Sequence, residues 1–230
     1  MTTITQEQRL NRQAQIIHPA MARATVIVAG AGMLGSWTAH ALARAVGKLI
    51  IYDGGDHVEA PNLGNQAYNR LDIGESKNVA LKSALWGLPV HTHDKSFPAS
   101  DVEPINVDVV VSCVDTLDGR EAIAKWCLQN NIPLFIDTRA QGEVAVICTA
   151  KPNQIAEYLR CMPRAHEVEE RRCGAVGSAY AGMWVASQVA ATINAYYRAL
   201  PLQKLLVWHI GLNQEIKRTM YNDIEGGDKQ

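Results

Sequence analysis

The sequence contains no run of about 18 apolar residues, the length that a membrane-spanning helix needs. Its first residues, Met1 to Glu7, are polar rather than basic and then apolar as in a secretory leader. Both absences lead to the expectation of a cytoplasmic protein with no membrane partner. An excess of either charge is also missing, with 22 Lys and Arg against 23 Asp and Glu, so a nucleic-acid partner is not expected. The five cysteines, Cys113, Cys127, Cys148, Cys161 and Cys173, are odd in number and form no C-x-x-C pair. That argues against a disulfide framework and against a zinc site legible in the sequence, and it suits reduced thiols. What remains is a chain of 230 residues, long enough to bury a full core as one α/β domain.

The most informative stretch is Thr25 to Asp53, which reads as strand, glycine turn, helix and second strand. Val26, Ile27 and Val28 are a short β-branched run, and Gly30, Gly32 and Gly35 follow with G-x-G-x-x-G spacing. The first glycine permits a tight turn, the second lets a phosphate approach the backbone, and the third lets the helix pack closely on the strand. The helix expected over about residues 34–46 aims its N-terminal N–H groups at an anion. Leu49 to Tyr52 then forms a buried strand ending at Asp53, a carboxylate placed to accept hydrogen bonds from a ribose.

Upstream, Arg9 and Arg12 stand three apart in a polar helix-like segment, within an arm that covers residues 1–24. Downstream, a Gly- and Asn-rich loop leads into a helix from about Ser76. Lys77 in its first turn opposes the helix dipole, and either water or a nearby anion relieves that conflict. Asp108 to Val114 is the next buried strand, and Asp115 at its carboxyl end is placed to hold magnesium beside nucleotide phosphates. Asp115 or Asp118 also suits the cap of the following helix. Two strands, from Leu134 and from Glu143, flank an Arg139-Ala-Gln-Gly turn. Residues 152–175 read as a charged, irregular and mobile crossover. Ser178 to Leu200 reads as a long helix, apolar nearly all round and buried in the core or a subunit interface, before a terminal strand pair and a loose tail from Ile224.

Taken together, residues 8 to 221 resemble the ThiF/MoeB superfamily, enzymes that adenylate the C-terminus of ubiquitin-like or sulfur-carrier proteins. The resemblance is carried by Arg9, Arg12 and Gln13, by the glycine turn, by Asp53 with Asp56, and by Asn62-Leu63-Gly64-Asn65-Gln66. Gly74 to Lys77 and Cys113-Val-Asp115 with Arg120 complete it. The resemblance implies a Rossmann-like, mostly parallel sheet with helices on both faces and a C-terminal antiparallel strand extension. It further implies ATP and Mg2+, a homodimer, and a small ubiquitin-like or sulfur-carrier protein as partner. Gly30, Gly32, Gly35, Asp53, Asn62 and Gln66 then hold the nucleotide, Asp115 is the magnesium ligand, and Lys77 and Arg12 contact phosphate. Arg12 reaches the neighbouring subunit's ATP.

Two departures stand out. Asn65 replaces the arginine of the family's N-L-x-R-Q, with Arg70 as a nearby substitute cation. Only Cys161 remains of the first C-x-x-C of zinc-bearing relatives, so structural zinc is expected to be absent. Cys173, after two arginines and before the long helix, is the candidate acyl-accepting nucleophile, against the alternative of a buried, inert thiol. Cys161 competes for that role. An adenylation-deficient scaffold and an NAD-dependent oxidoreductase stand as rival readings.

Overall fold

The structure is a computed structural model, and it describes residues 5–100, 102–162 and 177–220. Two short helices open the chain, α1 (Gln6–Leu10) and α2 (Pro19–Arg23), followed by β1 (Thr25–Ala29), α3 (Met33–Leu42) and β2 (Lys48–Asp53). Next come α4 (Lys77–Ala84), β3 (Val90–Asp94), β4 (Val109–Ser112), α5 (Leu117–Gln129), β5 (Leu134–Gln141) and β6 (Val144–Ala150). The last elements are α6 (Pro152–Cys161), α7 (Ala179–Tyr197), β7 (Gln203–His209) and β8 (Gln214–Met220).

The eight strands form one sheet in the order β3-β2-β1-β4-β5-β6-β7-β8. Pairing is parallel from β3 through β5 and antiparallel from β5 through β8. The chain runs from β1 outward to β3 and returns on the other side of β1 as β4. The carboxyl ends of β1 and β4 therefore border a topological switch point, where open α/β sheets take ligands.

Strand alternation sorts the core into two layers. Val26, Val28, Val109, Val111, Leu134 and Ile136 face one layer with α3, α4 and α7, while Ile27, Ala29, Val110 and Phe135 face the other with α5 and α6. This is the Rossmann-like sheet with helices on both faces and an antiparallel extension that the resemblance implied. The small residues of α7 serve close packing, since a Cβ on Gly182 would lie 2.4 Å from Trp37 Cδ1.

Three local expectations change. Residues 152–161 are the helix α6, not an irregular segment, because Pro152 starts it and Gln154 caps it while Ile155, Tyr158 and Leu159 pack on the α5 layer. The rest of the expected crossover, residues 163–175, lies outside the described residues, as does the tail. Arg139 belongs to a strand rather than a turn: β5 runs on to Gln141, Arg139 pairs with Val146, and the reversal falls at Gly142, which has φ +59°. The long helix is not apolar to the same depth all round, for Tyr180 and Met183 are exposed.

Candidate functional site

The glycine turn behaves as its spacing predicts. Gly30 has φ +96°, and a Cβ there would lie 2.8 Å from Cys113 O. At Gly35 a Cβ would lie 1.8 Å from Gly30 O, so only glycine allows α3 this close to the turn. At Gly32, the N-cap of α3, a Cβ would meet nothing within 4 Å. No side chain caps this ten-residue helix, which leaves its first N–H groups to a ligand or water.

Asp53 closes the turn from β2. Its Oδ2 accepts the Ala31 N–H at 2.7 Å, and the Tyr68 hydroxyl donates to Ala31 O at 2.7 Å. Asp53 is only 8 % exposed, and its Oδ1 is buried without a hydrogen-bond partner. Burial pushes its carboxyl above the usual range, and the nearby Asp56 carboxylate pushes the same way, while the Ala31 N–H, the Lys77 ammonium and, more weakly, the Asp56 backbone N–H pull it back. A buried acceptor with free capacity beside an open glycine turn fits a ribose hydroxyl.

Lys77 is the first residue of α4, 7 % exposed, and its ammonium bonds Asp56 Oδ2 at 2.9 Å. Asp56 is thus one anion that offsets the dipole conflict, and a lysine bearing three donors keeps others for phosphate. Behind it, Asn78 donates to His93 O and to Asp94 Oδ1, each at 2.9 Å, tying α4 to β3. The Asn62 to Gln66 segment is more occupied. Asn62 Oδ1 accepts the Glu59 N–H at 2.9 Å, whereas Gln66 Oε1 is buried and unpartnered. Asn65 donates to Gly177 O at 3.2 Å and accepts from Trp37 Nε1 at 3.0 Å, so it latches the loop to the start of α7 and to α3. Arg70 is exposed in the 3-10 turn Arg70–Asp72.

Beyond β4, Thr116 is the N-cap of α5, with Oγ1 accepting the Gly119 N–H at 3.2 Å. Neither Asp115 nor Asp118 takes that role, and Asp115 is exposed at the switch point. Among the described residues no three His, Cys, Asp or Glu side chains converge on a metal position. A single carboxylate would suit magnesium only where phosphate oxygens and water complete the shell.

Arg12 is not brought to the glycine turn of its own chain. Arg9 donates to Ala43 O at 3.0 Å and to Val46 O at 2.8 Å, anchoring the arm at the far end of α3. Ten helical residues span about 15 Å. Arg12, three residues later, is exposed, and its guanidinium makes no hydrogen bond or ion pair among the described residues.

The described thiols differ in burial. Burial pushes Cys113 and Cys148 up to about 11 each, and Cys127 is also raised. Cys161 is exposed at the end of α6, and Cys173 lies outside the described residues. Sequence reasoning missed Tyr68, Asn78, Asp137 and Arg139, whose partners come from distant segments.

Residues 11–221 match the model of the ThiF family. The chain belongs to the ThiF family. Within it, this ThiF chain is 29% identical over 166 residues to "Ubiquitin-like modifier-activating enzyme 5" of Drosophila willistoni, covering 59% of this chain and 41% of that protein. It is 35% identical over 133 residues to "Adenylyltransferase and sulfurtransferase MOCS3" of Caenorhabditis briggsae, covering 53% of this chain and 32% of that protein. The chain therefore matches less than half the length of these curated relatives. A crystal structure of E. coli MccB with ATP superposes with a TM-score of 0.68 at 17% identity, over 86% of this ThiF chain and 64% of the other, a likeness of fold.

Proposed function

We propose that this ThiF chain adenylates the C-terminal carboxylate of a small ubiquitin-like or sulfur-carrier protein. One oxygen of that carboxylate bonds to the α-phosphorus of ATP, the phosphorus–oxygen bond to the β-phosphate breaks, and an acyl adenylate and pyrophosphate result. The observation that carries the reading is Asp53, a buried carboxylate with one oxygen on the Ala31 N–H and the other unpartnered, beside a glycine turn open at Gly32. Family membership and the MccB structure with ATP support ATP as the nucleotide.

Asp53 binds the ribose, Gly32 and the uncapped α3 N-terminus receive phosphate, and Gln66 with its free buried oxygen lines the same loop. Lys77 stabilises negative charge on the phosphates. Asp115 would hold Mg2+, which when bound supplies charge neutralisation on the leaving pyrophosphate. The arm docked at the far end of α3 supports a homodimer in which Arg12 serves the neighbouring subunit's site. No structural zinc is needed, and the reduced thiols suit the cytoplasm.

Calorimetry with ATP, NAD and AMP tests the nucleotide, and tight NAD binding without ATP binding overturns the reading in favour of an oxidoreductase. The second reading, an adenylation-deficient scaffold, draws on Asn65, which spends its side chain on Gly177 where the family pattern has a cation. ATP binding without carrier-dependent pyrophosphate exchange favours that scaffold.

A further inference from the structure

On the face of β5 that packs against α5 and α6 stand two charged residues, Asp137 and Arg139. Asp137 is completely buried, and a carboxylate there persists only with cations on it. Arg120, from the first turns of α5, pairs with Asp137 Oδ1, and Arg139 Nε bonds Oδ2 at 2.7 Å. Two guanidinium groups against one carboxylate leave one positive charge in excess. Arg120 is the inner cation, buried and also bonded to Thr138 O at 2.7 Å. Arg139 is the outer one, 26 % exposed, with Nη2 on the Tyr158 hydroxyl at 3.2 Å. Among the described residues its Nη1 has no partner, and Tyr158 is a neutral hydroxyl that balances no charge.

The position of this excess charge is set by register. The ladder between β4 and β5 ends with Ser112 opposite Asp137. Arg139 lies two residues further along β5, past the last paired residue of β4 and toward the same carboxyl end of the parallel strands. Thr138 fixes that edge from the other face, its hydroxyl donating to Ser112 O at 2.9 Å with Cys113 Sγ 3.3 Å away. The glycine turn and α3 flank the β4 end on one face of the sheet, and Arg139 flanks it on the opposite face. In a phosphoryl-type displacement the entering and leaving oxygens lie roughly in line, on opposite sides of the phosphorus. A cation across the edge from the phosphate turn thus suits the entering group.

We propose that Arg139 binds a carboxylate of the acyl substrate and steers it toward the α-phosphate, which makes it a specificity-determining residue. This rests on the adenylation reading above and adds to it the group that selects the second substrate. The carboxylate belongs either to the C-terminus itself or to an acidic side chain in the tail.

The test uses the full chain, saturated with a non-hydrolysable ATP analogue, and fluorescent synthetic peptides. One ends in Gly-Gly with a free carboxylate, one is its C-terminal amide, and one is the amide with glutamate before Gly-Gly. On the wild type, at least one carboxylate peptide is expected to bind about tenfold or more tighter than the plain amide. Arg139→Gln, which retains a hydrogen bond to Asp137, is expected to remove that preference, and Arg139→Lys to restore part of it. ATP affinity and the thermal midpoint should stay near the wild-type values. Preference for the free acid assigns the terminal carboxylate, and preference for the glutamate peptide assigns the side chain. Equal binding of all three peptides by the wild type overturns the proposal without any variant. A fall in ATP affinity in Arg139→Gln equal to the fall in peptide affinity also overturns it, because the cation then belongs to the nucleotide. Pyrophosphate exchange by the wild type with its carrier, unchanged in KM by Arg139→Gln, sinks Arg139 alone; wild type that binds ATP but never exchanges sinks the adenylation reading.

Discussion

Gly32 and Gly35 sit on one turn, yet an added methyl meets opposite surroundings at the two positions. At Gly35 the new Cβ would fall 1.8 Å from Gly30 O and 2.7 Å from Gly30 C, backbone atoms that cannot rotate away. Overpacking of a core costs about 1–3 kcal/mol, and a clash with backbone belongs at or above the top of that range. For a domain of this size, about 3 kcal/mol corresponds to a midpoint lower by about 6–12 °C. At Gly32 the methyl meets nothing within 4 Å, and φ −71° with ψ −151° is extended backbone. Lower unfolded-state entropy stabilises Gly32→Ala by about 0.4–1 kcal/mol, and the loss of a favoured N-cap residue offsets it by a similar amount. The ligand-free midpoint should therefore move by no more than about 3 °C. ATP at a hundred times its Kd stabilises the wild type by about 2.7 kcal/mol, a rise of about 5–11 °C. If phosphate lies against Gly32, the methyl takes its place, and a hundredfold weaker complex retains only about 0.4 kcal/mol at the same ATP concentration. Scanning fluorimetry with and without ATP, supported by calorimetry, reads both effects. A full ATP shift in Gly32→Ala refutes the reasoning, since the open space would then not be the phosphate position.

Asp53→Asn should weaken ATP binding while raising ligand-free stability at neutral pH. Its folded pKa lies above the unfolded value, so its contribution is complete at acid pH and is lost as pH rises through the folded pKa. The stability gap between mutant and wild type should widen over that rise, and a gap that narrows instead would contradict the burial of a charged Asp53. If Arg12 acts across a two-fold axis, mixing inactive Arg12→Ala and Asp115→Ala proteins should regenerate activity in mixed dimers; no recovery after confirmed subunit exchange places Arg12 elsewhere. Cys173→Ala is expected to keep pyrophosphate exchange and lose any thiol-sensitive adduct with the carrier, and survival of the adduct transfers the role to Cys161.

The β1-α3-β2 unit was legible because its signals are local. A β-branched run, three glycines at fixed spacing and an acid at the strand end each constrain their own backbone. The position of Asp115, just past an apolar strand, was legible for the same reason, although the cap of α5 fell to Thr116. The interior of α6 was hidden by Pro152 and the charged residues that follow, while Ile155, Tyr158 and Leu159 carry the helical spacing that gives it an apolar face. Arg120, Asp137 and Arg139 escaped as a cluster because the pairing joins α5 to β5 across the packed layer, while in the sequence Arg139 reads as the start of a turn rather than a partner of Asp137. Asn65 reads as a lost cation until its bond to Gly177 shows that its side chain has another use.

ATP–pyrophosphate exchange, measured with carrier proteins ending in glycine, tests the adenylation claim most directly. Wild type is expected to incorporate labelled pyrophosphate into ATP in a carrier-dependent way, and Asp115→Ala to reduce the rate about 10²–10³-fold with the fold intact. ATP binding without exchange, or exchange that Asp115→Ala leaves at full rate, contradicts it.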